Sequence, residues 1–240
     1  MAKTEQSEPR LLLLQQHEGN DSRVVKRSFL SSKFSTFERK HCDKASTSTK
    51  QHEHRVALLG FEIATLLGVS DLSRSLVLLA GMFHDTGKRY VKDPSIFLKN
   101  GKLSPADREI IEPHAQHSQD IILKELQHPF APRIALIAGQ HHELLDGTGY
   151  PNKCVGSEID PRARIITAVD IFDALTNNRP YRQALSYRKA LTIIHRDSGT
   201  KLDKDVVGAL TTLVHNKQGR THLNVQTRNH SFPFRTLAFH

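Results

Sequence analysis

Apolar residues recur at every third or fourth position between about residue 52 and residue 215. This spacing places them on one face of an α-helix, and it differs from the alternation typical of a half-buried strand. Two of the stripes are Val56, Leu59, Ile63, Leu66 and Leu67, followed by Leu72, Leu76, Leu79 and Phe83. No stretch of the chain alternates convincingly, so the sequence predicts a single all-α domain.

Capping residues and prolines indicate where the helices begin. We expect Asp71 to cap the second helix, Ser104-Pro105 to start a short helix, and Pro161 to start a long one. Further helices are predicted over about 114–126, over 187–196 with Tyr187 on the buried face, and over 203–215 with Asp203 as the cap.

The net charge of +9 lies on the two ends of the chain. Residues 1–50 and 216–240 each carry +4, whereas residues 51–215 carry only +1. Basic ends of this kind are typical of solvated segments, and we expect no nucleic acid as a partner. The sequence thus predicts a flexible or partly helical basic arm over 1–47, a helical domain over 48–215 and a basic irregular tail over 216–240.

Apolar runs in this chain are short. The longest have about five residues, far fewer than the roughly 20 that cross a bilayer as a helix. No run suits a signal peptide either. We therefore expect a soluble, cytoplasmic protein with no membrane insertion. Cys42 and Cys154 form no disulfide framework, and we expect both to be reduced thiols.

Five histidines and two aspartates fall at predicted helix ends or on helix faces: His52, His84, Asp85, His114, His141, His142 and Asp170. Imidazole and carboxylate ligands suit divalent transition metals, and seven of them exceed what one tetrahedral zinc ion needs. Because the sequence has no paired-cysteine pattern, the set favours a two-metal site. Two neighbouring metal ions promote phosphoryl displacement, so the chemistry predicted is phosphoester hydrolysis.

An ordered series of motifs is typical of one family. His84-Asp85-Thr86-Gly87-Lys88 resembles the HD-x-GK signature of the HD phosphohydrolase superfamily. Residues 141–151, HHELLDGTGYP, resemble the signature of its HD-GYP branch, the cyclic di-GMP phosphodiesterases. Further elements of that branch are matched by residues 52–56, His114 with Ser118, 168–176, 179–182 and 199–203. The resemblance covers about residues 48–212 and implies a single HD-type helical domain.

The resemblance implies two divalent metal ions, iron or manganese. One ion would be held by His52, His84, Asp85 and Asp170, and the other by Asp85, His114, His141 and His142. Asp85 would bridge the two ions, and a bridging hydroxide would attack phosphorus in line. Lys88 would assist at the scissile phosphate, as a charge or as a proton donor to the leaving oxygen.

The resemblance also implies how the substrate is bound. Arg179 and Arg182 would meet its phosphate or guanine, a task for which the planar guanidinium is suited. Gly149 and Tyr150 belong to the loop that would form the pocket wall. Cyclic di-GMP would be cut to linear pGpG and, after a second cut, to GMP.

Departures from the family pattern refine these expectations. Ser48 stands where some members have a glutamate that binds a third metal, so we expect two ions. Glu53 is expected to point off the ligand face. Glu143 is expected either to cap or hydrogen-bond near the site or to orient an imidazole, and Asp173 to support the site rather than to bind metal. We expect no sensory or receiver domain ahead of the motifs, and we expect regulation from the arm or from a separate signalling protein.

Two other functions stay open at this point. The same chemistry could act on another cyclic dinucleotide, such as cyclic GMP-AMP, because the motifs do not report base choice. The domain could also be an inactive module used for protein–protein interaction or nucleotide sensing. The intact ligand set and Lys88 argue against an inactive module.

Overall fold

Helices make up the regular structure of the residues that the computed structural model describes, which are 32–41, 47–99, 103–178 and 182–220. The α-helices of this part are α1 (Ser32–His41), α2 (Thr47–Leu66), α3 (Asp71–Phe83), α4 (Pro105–Ile111), α5 (Pro113–Glu125), α6 (Ala131–Gly139), α7 (Pro161–Thr176), α8 (Tyr187–Asp197) and α9 (Lys204–Arg220). Short 3-10 helices span Thr86–Tyr90, Pro94–Leu98 and Gly156–Glu158. Over the described residues the only β-type pairings are isolated bridges. The predicted all-α fold is confirmed.

Most of the predicted helix starts are confirmed. Ser104 and Asp107 form a reciprocal capping box at the start of α4, with Pro105 in the first turn. Asp160 caps α7 ahead of Pro161. The prediction for α3 was wrong, because the hydroxyl of Ser70, rather than the carboxylate of Asp71, accepts from the backbone N–H of Ser73 at 3.1 Å. Ser70 reaches this N–H from the preceding position, so Asp71 becomes the first helical residue.

The core lies where α3 packs against α2, α6 and α7. Val56 and Ile63 of the predicted stripe are fully buried, and Leu76 and Phe83 of α3 are also fully buried. Two predicted core positions are wrong: the side chains of Leu66 and Tyr187 are 49% and 46% exposed. Each lies at the very end of its helix, where a periodic pattern is least able to predict burial.

Helix α1 lies inside the range predicted to be a flexible or partly helical arm. Its Phe34 and Phe37 are buried in the core cluster. At its C-terminus, the Nε2 atom of His41 lies 2.8 Å from a carboxylate oxygen of Glu125 on α5. The remainder of the arm, 1–31 and 42–46, lies outside the described residues.

The last helix, α9, packs against α2 and α7. It extends to Arg220, five residues into the range predicted as an irregular tail, and 221–240 lie outside the described residues. Among the helices of the described part, none combines the length and the apolar character that crossing a membrane would require.

Candidate metal centre

Five helices deliver the seven predicted metal ligands to one place. His52 comes from α2, His84 and Asp85 from the end of α3, His114 from α5, His141 and His142 from the turn after α6, and Asp170 from α7. Five of the seven are buried, and His142 and Asp170 are partly exposed. Their nitrogen and oxygen atoms form three overlapping groups, each with all its atoms within 4.8 Å of one another.

The carboxylate of Asp85 lies at the middle of these groups. Its Oδ2 atom is 3.4 Å from Nε2 of His52 and 3.4 Å from Nε2 of His84. Its Oδ1 atom is 3.5 Å from Nε2 of His114 and 3.8 Å from Nε2 of His141. Because each oxygen faces a different pair of imidazoles, the carboxylate has the geometry of a bridging ligand.

Backbone carbonyl groups set the tautomers of three of the histidines. The Nδ1–H groups of His84, His114 and His141 donate to the carbonyl oxygens of the residues three positions earlier, at 2.8, 2.5 and 2.6 Å. Each Nε2 atom is therefore left with a lone pair that points inward. This is the protonation pattern that metal-binding histidines adopt.

The inward-facing atoms lack hydrogen-bond partners of their own. Nε2 of His84 and Oδ1 of Asp85 are buried without one. The Nε2 atoms of His114 and His141 lie 3.4 Å apart, although both carry lone pairs in the tautomers just described. Buried lone pairs that face each other are unfavourable unless a cation lies between them. The residues present therefore fit divalent metal ions.

Asp173 supports the centre from outside, as predicted. Its Oδ2 atom lies 2.7 Å from Nδ1 of His52, and its Oδ1 atom accepts from Nε of Arg55 at 2.6 Å. Asn177 donates to the same carboxylate at 2.9 Å. Asp173 thus orients the imidazole of His52 and is itself oriented by two donors.

The buried surroundings shift the pKa values of the ligands in opposite directions. Burial lowers the pKa of His84, and burial together with neighbouring imidazoles lowers the pKa of His141 strongly and that of His142 to about 3. Burial also disfavours a charged His52, but its contacts with Asp170, Asp173 and Asp85 outweigh burial and raise its pKa. Against the effect of burial, the surrounding cationic groups hold the pKa of Asp85 and Asp170 well below the usual range.

Metal binding is expected to release the proton that His52 carries below its raised pKa. The pKa values of His84, His141 and His142 are lowered, which favours their neutral forms, and Asp85 and Asp170 are already ionised. Affinity should therefore rise with pH, by up to about tenfold per unit, below the raised pKa of His52, and should level off above it. Calorimetric titration of Mn²⁺ in buffers of different ionisation enthalpy measures the proton count. Binding without release of a proton would contradict the assignment.

Gly87 and Ser118 hold the end of α3 against α5. The hydroxyl of Ser118 accepts from the N–H of Gly87 at 2.8 Å and donates to the carbonyl oxygen of His114 at 3.0 Å. A Cβ atom on Gly87 would clash with that same carbonyl oxygen and would lie 2.6 Å from the backbone nitrogen of Ser118. The close approach brings His114 next to Asp85.

Replacement of Gly87 by alanine is expected to destabilise the metal-free protein by about 2–3 kcal/mol, because backbone atoms must move to admit the methyl group. Urea unfolding monitored by circular dichroism measures the loss. Gly208→Ala is the matched control: nothing lies within 4 Å of its added Cβ, and alanine favours the α9 helix. The free energy of unfolding of Gly208→Ala should be higher than that of the unaltered protein by up to about 1 kcal/mol. Equal stability of the two variants would show that the approach at Gly87 is not tight.

The loop after His142 is held by its own contacts. Glu143 hydrogen-bonds near the site, which is one of the roles expected of it: its carboxylate accepts from the backbone N–H groups of Asn152 and Cys154, at 2.6 and 3.0 Å. A Cβ atom on Gly149 would lie 2.5 Å from the carbonyl oxygen of His142, so only glycine permits this approach. The ring of Tyr150 then lies with its centre 4.6 Å from that of His142.

Three predicted site residues remain, which are Lys88, Arg182 and Arg179. The ammonium group of Lys88 donates to Asp85 and lies 5.6 Å from the centre of the Phe97 ring. Arg182 donates to the carbonyl oxygen of Ala174, so one of its nitrogens is used within the protein. Arg179 lies outside the described residues.

Sequence reasoning missed one residue beside the centre and underrated another. Phe97 was hidden in a basic, irregular stretch whose pattern carries no burial signal. Glu53 does not belong to any group of metal-binding atoms, as expected, yet it is only 3% exposed. Burial, with the nearby Asp85 charge, raises its pKa to about 8. Glu53 lies three residues before Val56, on the buried face of α2, so this spacing is the signal that could have indicated its burial.

The profile of the family described as the HD domain matches residues 38–206. This chain belongs to the HD domain family. The domain is 42% identical over 168 residues to 3′3′-cGAMP-specific phosphodiesterase 3 of Vibrio cholerae. This alignment covers 70% of this chain and 36% of that protein. It is 36% identical over 148 residues to the cyclic di-GMP phosphodiesterase response regulator of Xanthomonas campestris, covering 62% and 39% respectively.

A solved structure shares the fold. An HDGYP protein from Bdellovibrio bacteriovorus superposes with a TM-score of 0.58 at 21% identity, over 69% of this chain and 52% of that one. The chain spans about a third to two fifths of the length of the curated relatives described above. The family match and the relatives confirm that this HD domain is of the HD-GYP type. HD phosphohydrolases depend on divalent metals, in agreement with the His/Asp cluster.

Proposed function

We propose that this HD domain is a metal-dependent phosphodiesterase that hydrolyses cyclic di-GMP to linear pGpG and, by a second cut, to GMP. The observation that carries the proposal is the convergence of five imidazoles with the carboxylates of Asp85 and Asp170 in a largely buried place, with unpartnered lone pairs facing inward. A cyclic di-GMP phosphodiesterase among the relatives supports the same substrate class.

Two divalent ions, iron or manganese, are the proposed cofactors, because mixed imidazole and carboxylate ligation suits both metals. His52, His84, Asp85 and Asp170 would hold one ion, and Asp85, His114, His141 and His142 the other. Such a pair supplies a water of lowered pKa and binds the oxygens of the phosphate that is cut. Asp173 keeps the imidazole of His52 oriented for this role through its 2.7 Å contact.

Groups at the rim would handle the substrate. Lys88 donates to Asp85, so its ammonium group is in direct contact with a proposed metal ligand. There it would neutralise developing charge on the phosphate or protonate the leaving 3′ oxygen. Tyr150 and Gly149 would form one wall beside His142. Arg182 and Arg179 are the proposed contacts to substrate phosphate or guanine.

Cyclic GMP-AMP is the second candidate substrate. The observation that favours it is the 42% identity to a protein named as a 3′3′-cGAMP-specific phosphodiesterase, a higher identity than to the relative named for cyclic di-GMP. The two substrates share the phosphodiester ring and differ in one base, so the metal centre would treat them alike. Base choice would then depend on the rim residues.

Regulation is proposed to involve a separate signalling protein. One relative is named a response regulator, which supports this proposal. The described part of this chain offers α1 as a contact between the upstream sequence and the core, through Phe34 and Phe37.

Turnover by the metal-loaded full chain tests the proposal. The protein is reconstituted with Mn²⁺ or with Fe²⁺ under anaerobic conditions and incubated with cyclic di-GMP, 3′3′-cyclic GMP-AMP and cyclic di-AMP, with products separated by chromatography. Formation of pGpG at the highest kcat/KM supports the first candidate, and preferential cleavage of cyclic GMP-AMP supports the second. No cleavage of any of them by protein that carries two ions would favour the inactive module.

A further inference from the structure

A cavity of about 480 Å³ that is largely open to solvent lies between α8 and α9, on elements that carry no metal ligand. Its walls are made by three pairs of residues of the same kind: Arg188 and Arg196, His195 and His215, Thr192 and Thr211. Its remaining lining residue, Leu191, is only 5% exposed and belongs to the core, so it forms an apolar floor. The cavity is thus separate from the metal centre.

The lining of this cavity is basic and contains no carboxylate. Within the described part of the chain, no ion pair engages the guanidinium group of Arg188 or of Arg196. By contrast, Arg55, Arg162 and Arg164 are each paired with an aspartate. Two guanidinium groups that line one cavity without a counter-charge form an anion-binding arrangement.

A hydrogen bond across the cavity joins its two walls. Nε2 of His195 on α8 lies 3.0 Å from the hydroxyl of Thr211 on α9. That hydroxyl already donates to the carbonyl oxygen of Val207 at 2.8 Å, so it accepts from the imidazole N–H. The rotamers of both side chains are thereby restrained, which lowers the entropy lost when a ligand binds.

We propose that this cavity is a binding site for a nucleoside diphosphate. Each guanidinium presents a planar fork of donors that matches the oxygens of one phosphoryl group, and two arginines suit two such groups. The apolar floor at Leu191 and the imidazole faces suit a ring system. The volume lies within the roughly 300–1,000 Å³ typical of sites for ligands of this size.

The charge of the lining and the volume of the cavity distinguish a nucleoside diphosphate from its two fragments, pyrophosphate and the uncharged nucleoside. Pyrophosphate alone would satisfy both arginines but would leave the floor and much of the 480 Å³ in contact with water. An uncharged nucleoside would cover the floor but would leave both guanidinium groups without an anion. A nucleoside diphosphate uses both features, so it should bind more tightly than either fragment.

Calorimetric titration of GDP into the metal-loaded full chain, at about 0.15 M salt to suppress unspecific charge effects, tests the proposal. The double variant Arg188→Gln/Arg196→Gln is expected to weaken GDP binding at this site by at least about tenfold, because two charge-assisted bidentate contacts are lost. Arg133→Gln is the matched control: Arg133 is exposed on α6, lies outside the cavity and should leave the affinity unchanged.

The competing outcomes are distinguishable. GDP binding that survives the double variant would locate the ligand at the metal centre and overturn the proposal, as would no binding by the unaltered protein. An equal loss of GDP affinity in Arg133→Gln would show that the loss comes from the change in net charge and not from this cavity. Pyrophosphate that binds as tightly as GDP would refute the nucleoside part. Perturbation of the Thr192 and Thr211 amide signals by GDP is the expected direct readout, and the exposed single variant Arg196→Gln replaces the double variant if that fails to fold.

Discussion

Protein in which Asp85 is replaced by alanine is expected to bind neither metal ion and to lose at least about 1,000-fold in kcat/KM. The reason is the central position of this carboxylate. One oxygen faces His52 and His84 at 3.4 Å, and the other faces His114 at 3.5 Å. Without the carboxylate, His52 and His84 on one side and His114 on the other lose the anion that faces both sides. Elemental analysis of protein purified without added metal, together with turnover of cyclic di-GMP, gives the measurement.

Asp173→Asn provides a graded control for this prediction. Asp173 touches His52 only at Nδ1 and is held by Arg55, so the amide should misorient one imidazole without removing a ligand. Changes of this kind typically cost about 10- to 100-fold in metal affinity or activity. Two ions should still bind at saturating metal. Retention of both ions by Asp85→Ala would refute the bridging role, even if activity were lost.

Much of the fold could be predicted because the helices have a single buried face. The apolar period predicted α2, α3 and α7 in order, since burial of one stripe is what stabilises a helix of this length. The ligand set could be predicted for the same reason: His84 and Asp85 follow an apolar helix, and His141 and His142 follow another. A helix end that meets the core brings polar side chains to a buried point.

The contacts that orient the ligands could not be predicted. Three imidazoles are held by the carbonyl oxygens of Gly81, Ile111 and Ala138, which leave no trace in a side-chain pattern. Glu143 lies directly after two ligands, yet its partners are backbone N–H groups of the following loop. The direction in which a carboxylate points is determined by its tertiary contacts and not by its neighbours in the sequence.

Helix α1 illustrates a second limit of pattern reasoning. Its surroundings in the sequence are polar and basic, and its buried residues are Phe34, Phe37 and the polar His41. Two apolar residues three apart are too few to define a stripe. The contacts that complete the docking lie on α5, where Glu125 meets Lys40 and His41. A helix that is docked by partners so distant in sequence has no local signature.

Lys88→Gln is expected to lower kcat for cyclic di-GMP by about 100- to 1,000-fold while two metal ions remain bound. The Lys88 ammonium group donates to Asp85 and lies over the ring of Phe97, so the charge is held at the edge of the centre. Glutamine keeps much of the length and can still donate to Asp85, but it supplies neither a positive charge nor an acidic proton. KM should change much less than kcat, because the contribution of Lys88 is largest when charge develops on the leaving oxygen.

Lys92→Gln is the matched control, since Lys92 is an exposed lysine four residues further along the same segment. It removes the same charge at a position that is not in contact with the metal ligands, so kcat should stay within about twofold of the unaltered protein. Equal losses in the two variants would attribute the effect to steering of an anionic substrate, which depends on ionic strength. Loss of metal from Lys88→Gln would mean that this lysine acts by holding Asp85. Only a fall in kcat with metal retained, confined to Lys88, identifies a group that acts on the reacting phosphate.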